Sequence, residues 1–183
     1  MRIRLSLLIL LAASVAACDD GLGPQPWDAT PDTVSLYSAS RSELLGYPSA
    51  FDFVNLAVIR VESPGSAGSW DVVLAGSAGL QLVPAGAFEG QDSRAGIAVI
   101  TGTTFEALTS APTDTSQYSS QAVALQQGSV YVVRTRRAVC SFSTAVHFAK
   151  IKVVSIDAAR GVASFAVVRN PYCNDRSFVP PKD

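Results

Sequence analysis

From residue 34 onward the chain consists of short runs rich in valine, isoleucine and aromatic residues, each closed by glycine, proline or serine. This punctuation constrains the fold more than any other feature. Candidate strands cover 51–62, 70–75, 80–83, 96–101, 121–126, 129–135, 145–156 and 161–169. Branched and aromatic side chains suit a pleated, half-buried surface, and turn residues at such intervals join antiparallel neighbours. No segment of comparable length carries the 3.6-residue period of a helix, apart from a short turn at 41–45. The polar stretch 109–120 reads as a surface loop. The expected fold is all-β, an antiparallel sandwich or open barrel over 34–183, a length able to bury a sizeable core.

The clearest local expectation is a hairpin of KIKVVSID and GVASFAVVRN joined through Ala158, Ala159, Arg160 and Gly161. Gly161 accepts the positive φ that such turns require. Alternation sets Ile151 and Val153 on one face and Lys150 and Lys152 on the other, so one face is expected to be buried and the other wet. Upstream, His147 falls on the apolar side with Ala145, Ala149 and Ile151. That position favours an interior histidine over a ligand or a base.

Ahead of the strands, Arg2 and Arg4 precede an apolar run, and small residues approach a cysteine at Val15-Ala16-Ala17-Cys18. Positive start, apolar stretch and small-residue exit are read by export machinery. The stretch is shorter than the roughly 20 apolar residues that cross a bilayer. This ending resembles the lipobox of bacterial lipoproteins, which implies cleavage after residue 17 and acylation of Cys18. Several acyl chains on one residue hold a protein on a membrane without a transmembrane helix. The expected organisation is a signal over 1–17, a proline-rich spacer over 18–33 and one domain over 34–183. Extended at about 3.1 Å per residue, the spacer would reach roughly 40 Å from the lipid.

With the signal removed, two arginines go, and the charge becomes 12 minus 15, or −3 with the histidine neutral. Mild acidity argues against a nucleic-acid partner, which needs a basic face. Of three cysteines, lipid takes Cys18, leaving Cys140 and Cys173 as a pair in an exported, oxidising space. A disulfide between them is expected, adding roughly 4 kcal/mol by the chain-entropy argument. A metal site is disfavoured, because neither cysteine has a partner at ligand spacing and the chain has a single histidine.

Catalytic motifs are lacking: there is no G-x-S-x-G elbow, H-E-x-x-H, C-x-x-C or phosphate-cradling glycine loop. Carboxylates such as Asp71, Asp157 and Asp175 are scattered, although separate loops can bring acids together, as in glycan hydrolases. A basic group is more suggestive. Arg134, Arg136 and Arg137 close one strand while Lys150 and Lys152 lie on the next. Paired, they form either a cationic patch for a carboxylate, phosphate or acidic sugar, or a solvated sheet face that discourages edge pairing. Arg176 belongs to the tail NPYCNDRSFVPP, where Pro171 ends a strand, Cys173 pins the chain back, and Asn174 to Arg176 form either a ligand loop or an Asx turn with a local salt bridge.

The runs YVVRT, HFAKIKVVSID and GVASFAVVRN, within 129–169, resemble the C-terminal part of the HmuY-like haemophore family. The resemblance implies a lipid-anchored, mostly β protein of the bacterial envelope whose loops bind a ligand, haem in the known members. Those members hold iron between two histidine or methionine side chains. Here the mature chain keeps His147 alone, because Met1 leaves with the signal. The expectation is therefore a non-enzymatic envelope domain with no resident cofactor, binding a ligand or a partner protein through His147, Arg134, Arg136, Lys150, Lys152 and Arg176. Haem capture, glycan hydrolysis and a purely structural role stand as alternatives.

Overall fold

The computed structural model describes residues 25–77, 79–90, 93–140 and 143–182. The expected signal, the lipobox-like ending with Cys18 and the first part of the expected spacer lie outside them. Two antiparallel five-stranded sheets form a sandwich, as the punctuated sequence leads one to expect. One sheet runs β1 (Asp32–Tyr37), β12 (Val162–Arg169), β11 (Phe148–Asp157), β8 (Val130–Arg134) and β6 (Gly96–Ile100). The other runs β3 (Ala57–Ile59), β2 (Ala50–Asp52), β4 (Val72–Ala75), β5 (Gln81–Pro84) and β7 (Val123–Ala124). β9 (Ala138–Cys140) and β10 (Ser143–Ala145) pair only with each other, and one short helix, α1 (Ala85–Glu89), follows β5.

Period-two alternation places the core between the sheets. Leu36, Tyr131, Val133, Ile151, Val153, Phe165 and Val167 from the first sheet meet Phe51, Phe53, Val72, Leu74 and Leu82 around the second. Phe51 and Phe53 meet edge to face at 4.7 Å. The β11–β12 hairpin forms as read, with Asp157 opposite Val162 and Gly161 at φ 68°. Arg41 locks its turn by donating to the carbonyls of Ala158 and Ala159 at 2.8 and 2.7 Å.

Four departures from the sequence reading have physical causes. The run 51–62 is a tight hairpin, not one strand: Asp52 Oδ1 accepts the N–H groups of Val54 and Asn55, and Leu56 takes φ 54°. No glycine or proline marks that reversal. At the other end of the chain, β1 begins at Asp32, inside the stretch read as spacer. Trp27 and Ala29 pack against Phe105, Val130 and Val168, and the Tyr172 hydroxyl donates to the Gln25 carbonyl at 2.6 Å. The domain thus includes the end of the proline-rich segment.

The lysine face of β11 is the third departure. Around Lys150 it is not wet, because the connection from β6 to β7 and the C-terminal tail fold across it, with Ala98, Ala111, Tyr118, Val132, Phe148 and Phe178 forming a second apolar layer, whereas Lys152 stays at the surface. Lys150 is left only 7% exposed. Stretch 109–120 is accordingly more than a surface loop: Ser119 exchanges backbone hydrogen bonds with Ile97 at 3.0 and 2.9 Å and covers the outer edge of β6. Fourth, the β9–β10 hairpin and α1 went unread, since both are too short to show a period.

Candidate functional site

Of the basic residues expected to converge, Arg136 and Arg137 stay together at one cleft, whereas Arg134, Lys150 and Lys152 are dispersed, each engaged by its own neighbours. Arg134 lies over the Tyr118 ring at 5.1 Å and donates from Nε to the Arg94 carbonyl. Lys150 donates to the carbonyls of Phe105 and Leu108 at 2.8 and 3.0 Å, its ammonium flanked by the rings of Phe105 and Phe178. Lys152 pairs with Glu106 at the surface. In the tail, Arg176 covers the Phe148 ring and donates to the Pro112 carbonyl, while Asp175 caps an Asx turn through the Ser177 N–H. The local ion pair expected for that turn is replaced by the ring contact.

Arg136 behaves differently, because it reaches two carboxylates from the opposite sheet. Asp52 ends β2, Asp71 precedes β4 and Arg136 follows β8, so the three tie the sheets together at one end of the sandwich. The Arg136 Nη1 lies 2.9 Å from Asp52 Oδ1 and 3.1 Å from Asp71 Oδ1. Asp71 has no exposure, and it also accepts the backbone N–H groups of Phe53 and Arg136, each at 2.7 Å. Burial pushes its carboxyl up to about 6, outweighing the Arg136 guanidinium. Burial also pushes Asp52 upward, but hydrogen bonds from Arg136 and Asn55 overcome it and hold that carboxyl below its ordinary range. Paired acids with separated pKa values suit acid–base catalysis only where substrate can reach them. These two are sealed, with side-chain exposures of 0% and 4%. Asp157 and Asp175, the other acids considered, are remote in the chain and are spent on the Arg160 and Ser177 N–H groups.

Beside this knot opens a cleft of about 220 Å³, lined by Gly68, Trp70, Ala85, Ser93, Arg94, Arg136 and Arg137. Arg136 forms its anchored side. Arg94 and Arg137 are exposed, and no described residue accepts a hydrogen bond from either guanidinium. Burial is the largest cause lowering the pKa of Arg134, which donates to the Arg94 carbonyl, and the charges of Arg94 and Arg176 act in the same direction. The Trp70 indole packs edge to face against Phe88, and its buried Nε1 has no acceptor among the described residues. Sequence reading singled out Arg136 and Arg137. It missed Arg94, since nothing local links a loop arginine to a strand end 42 positions away, and it missed that Asp71, an acid in the apolar run SWDVVLA, needed a buried cation.

His147 is interior, at 6% exposure, as its place on the apolar face implied. Burial lowers its pKa, and the Arg169 charge adds to the effect. Cys140 and Cys173 form the expected disulfide, with Cα atoms 6.2 Å apart. The histidine Nε2 faces both sulfurs, at 3.9 Å from Cys140 Sγ and 3.6 Å from Cys173 Sγ, while Nδ1 lies 3.4 Å from the Asn170 carbonyl. This arrangement does not fit haem. One ring nitrogen is turned to a carbonyl and the other to the disulfide, so His147 presents no open axial ligand, and no methionine lies among the described residues.

Comparison with known proteins returns no match: no family model fits the chain, and neither a curated protein nor a solved structure is similar to it. Among the described residues, no helix is long and apolar enough to cross a membrane.

Proposed function

We propose that this chain is a non-enzymatic lipoprotein of the bacterial envelope, held by lipid on Cys18, whose β-sandwich binds an anionic ligand in the arginine cleft. One observation carries the binding role: Arg94 and Arg137, with no acceptor among the described residues, share a concave site with Arg136, whose orientation is fixed by two buried carboxylates. A guanidinium offers a planar fork of donors that matches carboxylate or phosphate oxygens two at a time. Fixing one of three lowers the ordering cost of binding. The ligand class is an acidic glycan or another polyanion bearing carboxylate or phosphate groups. The non-enzymatic reading is supported by the sealing of Asp52 and Asp71 and by the lack of catalytic motifs in the sequence. The lipobox supplies the address.

Titration calorimetry of the folded domain with a uronic-acid oligosaccharide, its neutral counterpart and inorganic phosphate tests the cleft. Binding of the acidic sugar or phosphate should weaken with added salt and fall about tenfold or more in an Arg94→Gln/Arg137→Gln variant, the scale of losing one or two charge-assisted hydrogen bonds. Equal affinity for the neutral sugar, or no heat with any of the three, overturns the reading.

A further inference from the structure

We infer that Cys140, Cys173 and His147 form a redox-gated metal site: opening the disulfide creates a two-thiolate, one-imidazole centre for a thiophilic cation such as Zn(II). This inference is independent of the arginine cleft. It rests first on geometry. A tetrahedral zinc with bonds of about 2.3 Å to sulfur and 2.0 Å to nitrogen sets its sulfur and nitrogen ligands roughly 3.6 Å apart and its two sulfurs roughly 3.8 Å apart. The two sulfur-to-Nε2 separations are already 3.6 and 3.9 Å. Only the sulfur–sulfur edge must open, which rotation about each Cα–Cβ bond supplies from Cα atoms 6.2 Å apart.

The second observation is the orientation of the imidazole. Nδ1 faces the Asn170 carbonyl, an acceptor, so the ring proton belongs there and the lone pair of Nε2 points at the sulfurs. A disulfide has no proton to give, so among the described residues that lone pair has no donor in the oxidised protein. A histidine that ligates a metal is commonly oriented in this way, its other ring N–H given to a carbonyl. Access and freedom are also present. Both cysteines are half-exposed, and Cys140 ends β9, a strand paired only with β10 outside the two large sheets. The three ligand atoms lie within 4.8 Å of one another, and the fourth coordination position is left for water or an incoming ligand.

The step balances with a dithiol reductant of the envelope. Its two sulfurs become a disulfide, its electron pair breaks the Cys140–Cys173 bond, and its two protons pass to the cysteine sulfurs. The two thiols release those protons as they bind the cation.

The test is a titration of the mature protein with Zn(II), with and without prior reduction, followed by competition with a chromophoric chelator, with Co(II) as a coloured reporter of thiolate ligation. The reduced protein should bind one equivalent and show a sulfur-to-cobalt charge-transfer band, and the oxidised protein should bind none. His147→Ala should weaken binding by about tenfold or more, and Cys140→Ser should abolish the band. Circular dichroism is read in parallel, since reduction alone can loosen the fold. If it does, zinc should restore the sheet signal and raise the melting temperature of the reduced chain only. Absence of binding by folded reduced protein, affinity unchanged by His147→Ala, or a reduced chain that stays unfolded in excess zinc each overturns the inference.

Discussion

Asp71 sits without exposure between two backbone donors and a guanidinium shared with Asp52, so its charge depends on Arg136. Replacing Arg136 by Met keeps the bulk and removes the cation. Stability, from urea unfolding, should fall by about 3–5 kcal/mol, because two buried carboxylates lose their partner. The same residue sets a pH dependence. Folded Asp71 keeps its proton up to about pH 6, whereas the unfolded carboxyl releases it near 3.8. Between those values the folded state binds more protons, so this group's contribution is complete below pH 3.8 and is lost as pH rises through 6. Asp52, held below its ordinary value, works in the opposite sense, and its contribution disappears as acid protonates it. Asp71→Asn should be less stable at all pH values, yet should flatten the decline in unfolding midpoint between about pH 4 and 6. An unchanged slope would assign that decline to another group. Little of this was legible beforehand: an acid in an apolar run signals a buried partner, but which cation answers it depends on strands 65 positions apart.

At the scale of elements, two connections are held by single basic side chains. Lys150 projects from β11 into the segment that covers it and fastens that segment through two carbonyls. Lys150→Met fits the apolar surroundings but leaves both acceptors without a donor. It should cost about 1–3 kcal/mol, and limited proteolysis should first cut within 101–122. The β11–β12 turn depends on Gly161, at φ 68°, where an added Cβ would come within 2.8 Å of the Arg41 side chain. Gly161→Ala should therefore destabilise by about 1–3 kcal/mol, through the positive φ and the displaced arginine together. That hairpin could be read from sequence because its alternation, length and turn glycine agree. The covered lysine face could not. Alternation gives the direction of a side chain, and whether another segment lies over it is a long-range matter.

For the whole molecule, the Cys140–Cys173 bond fastens the tail to the β9–β10 hairpin across a sequence separation of 33. Cys140→Ala/Cys173→Ala should lower stability by about 3–4 kcal/mol if restriction of the unfolded chain dominates. The proposed attachment to the membrane has its own check: Cys18→Ser should release the protein into the soluble fraction of cells, and mass spectrometry of the wild-type N-terminal peptide should show acyl groups on Cys18. The sequence by itself determined the all-β class, the hairpin of β11 and β12, the pairing of the two cysteines and the interior place of His147. Those follow from period-two alternation, turn chemistry and elimination among few residues, which are local or countable properties. Only the tertiary structure decided which arginines share a cleft, which carboxylates are sealed beneath it, and that His147 turns its lone pair toward the disulfide. Each of those depends on the packing of two sheets and a covering segment, which brings distant residues within hydrogen-bond distance and leaves no periodic trace in the chain.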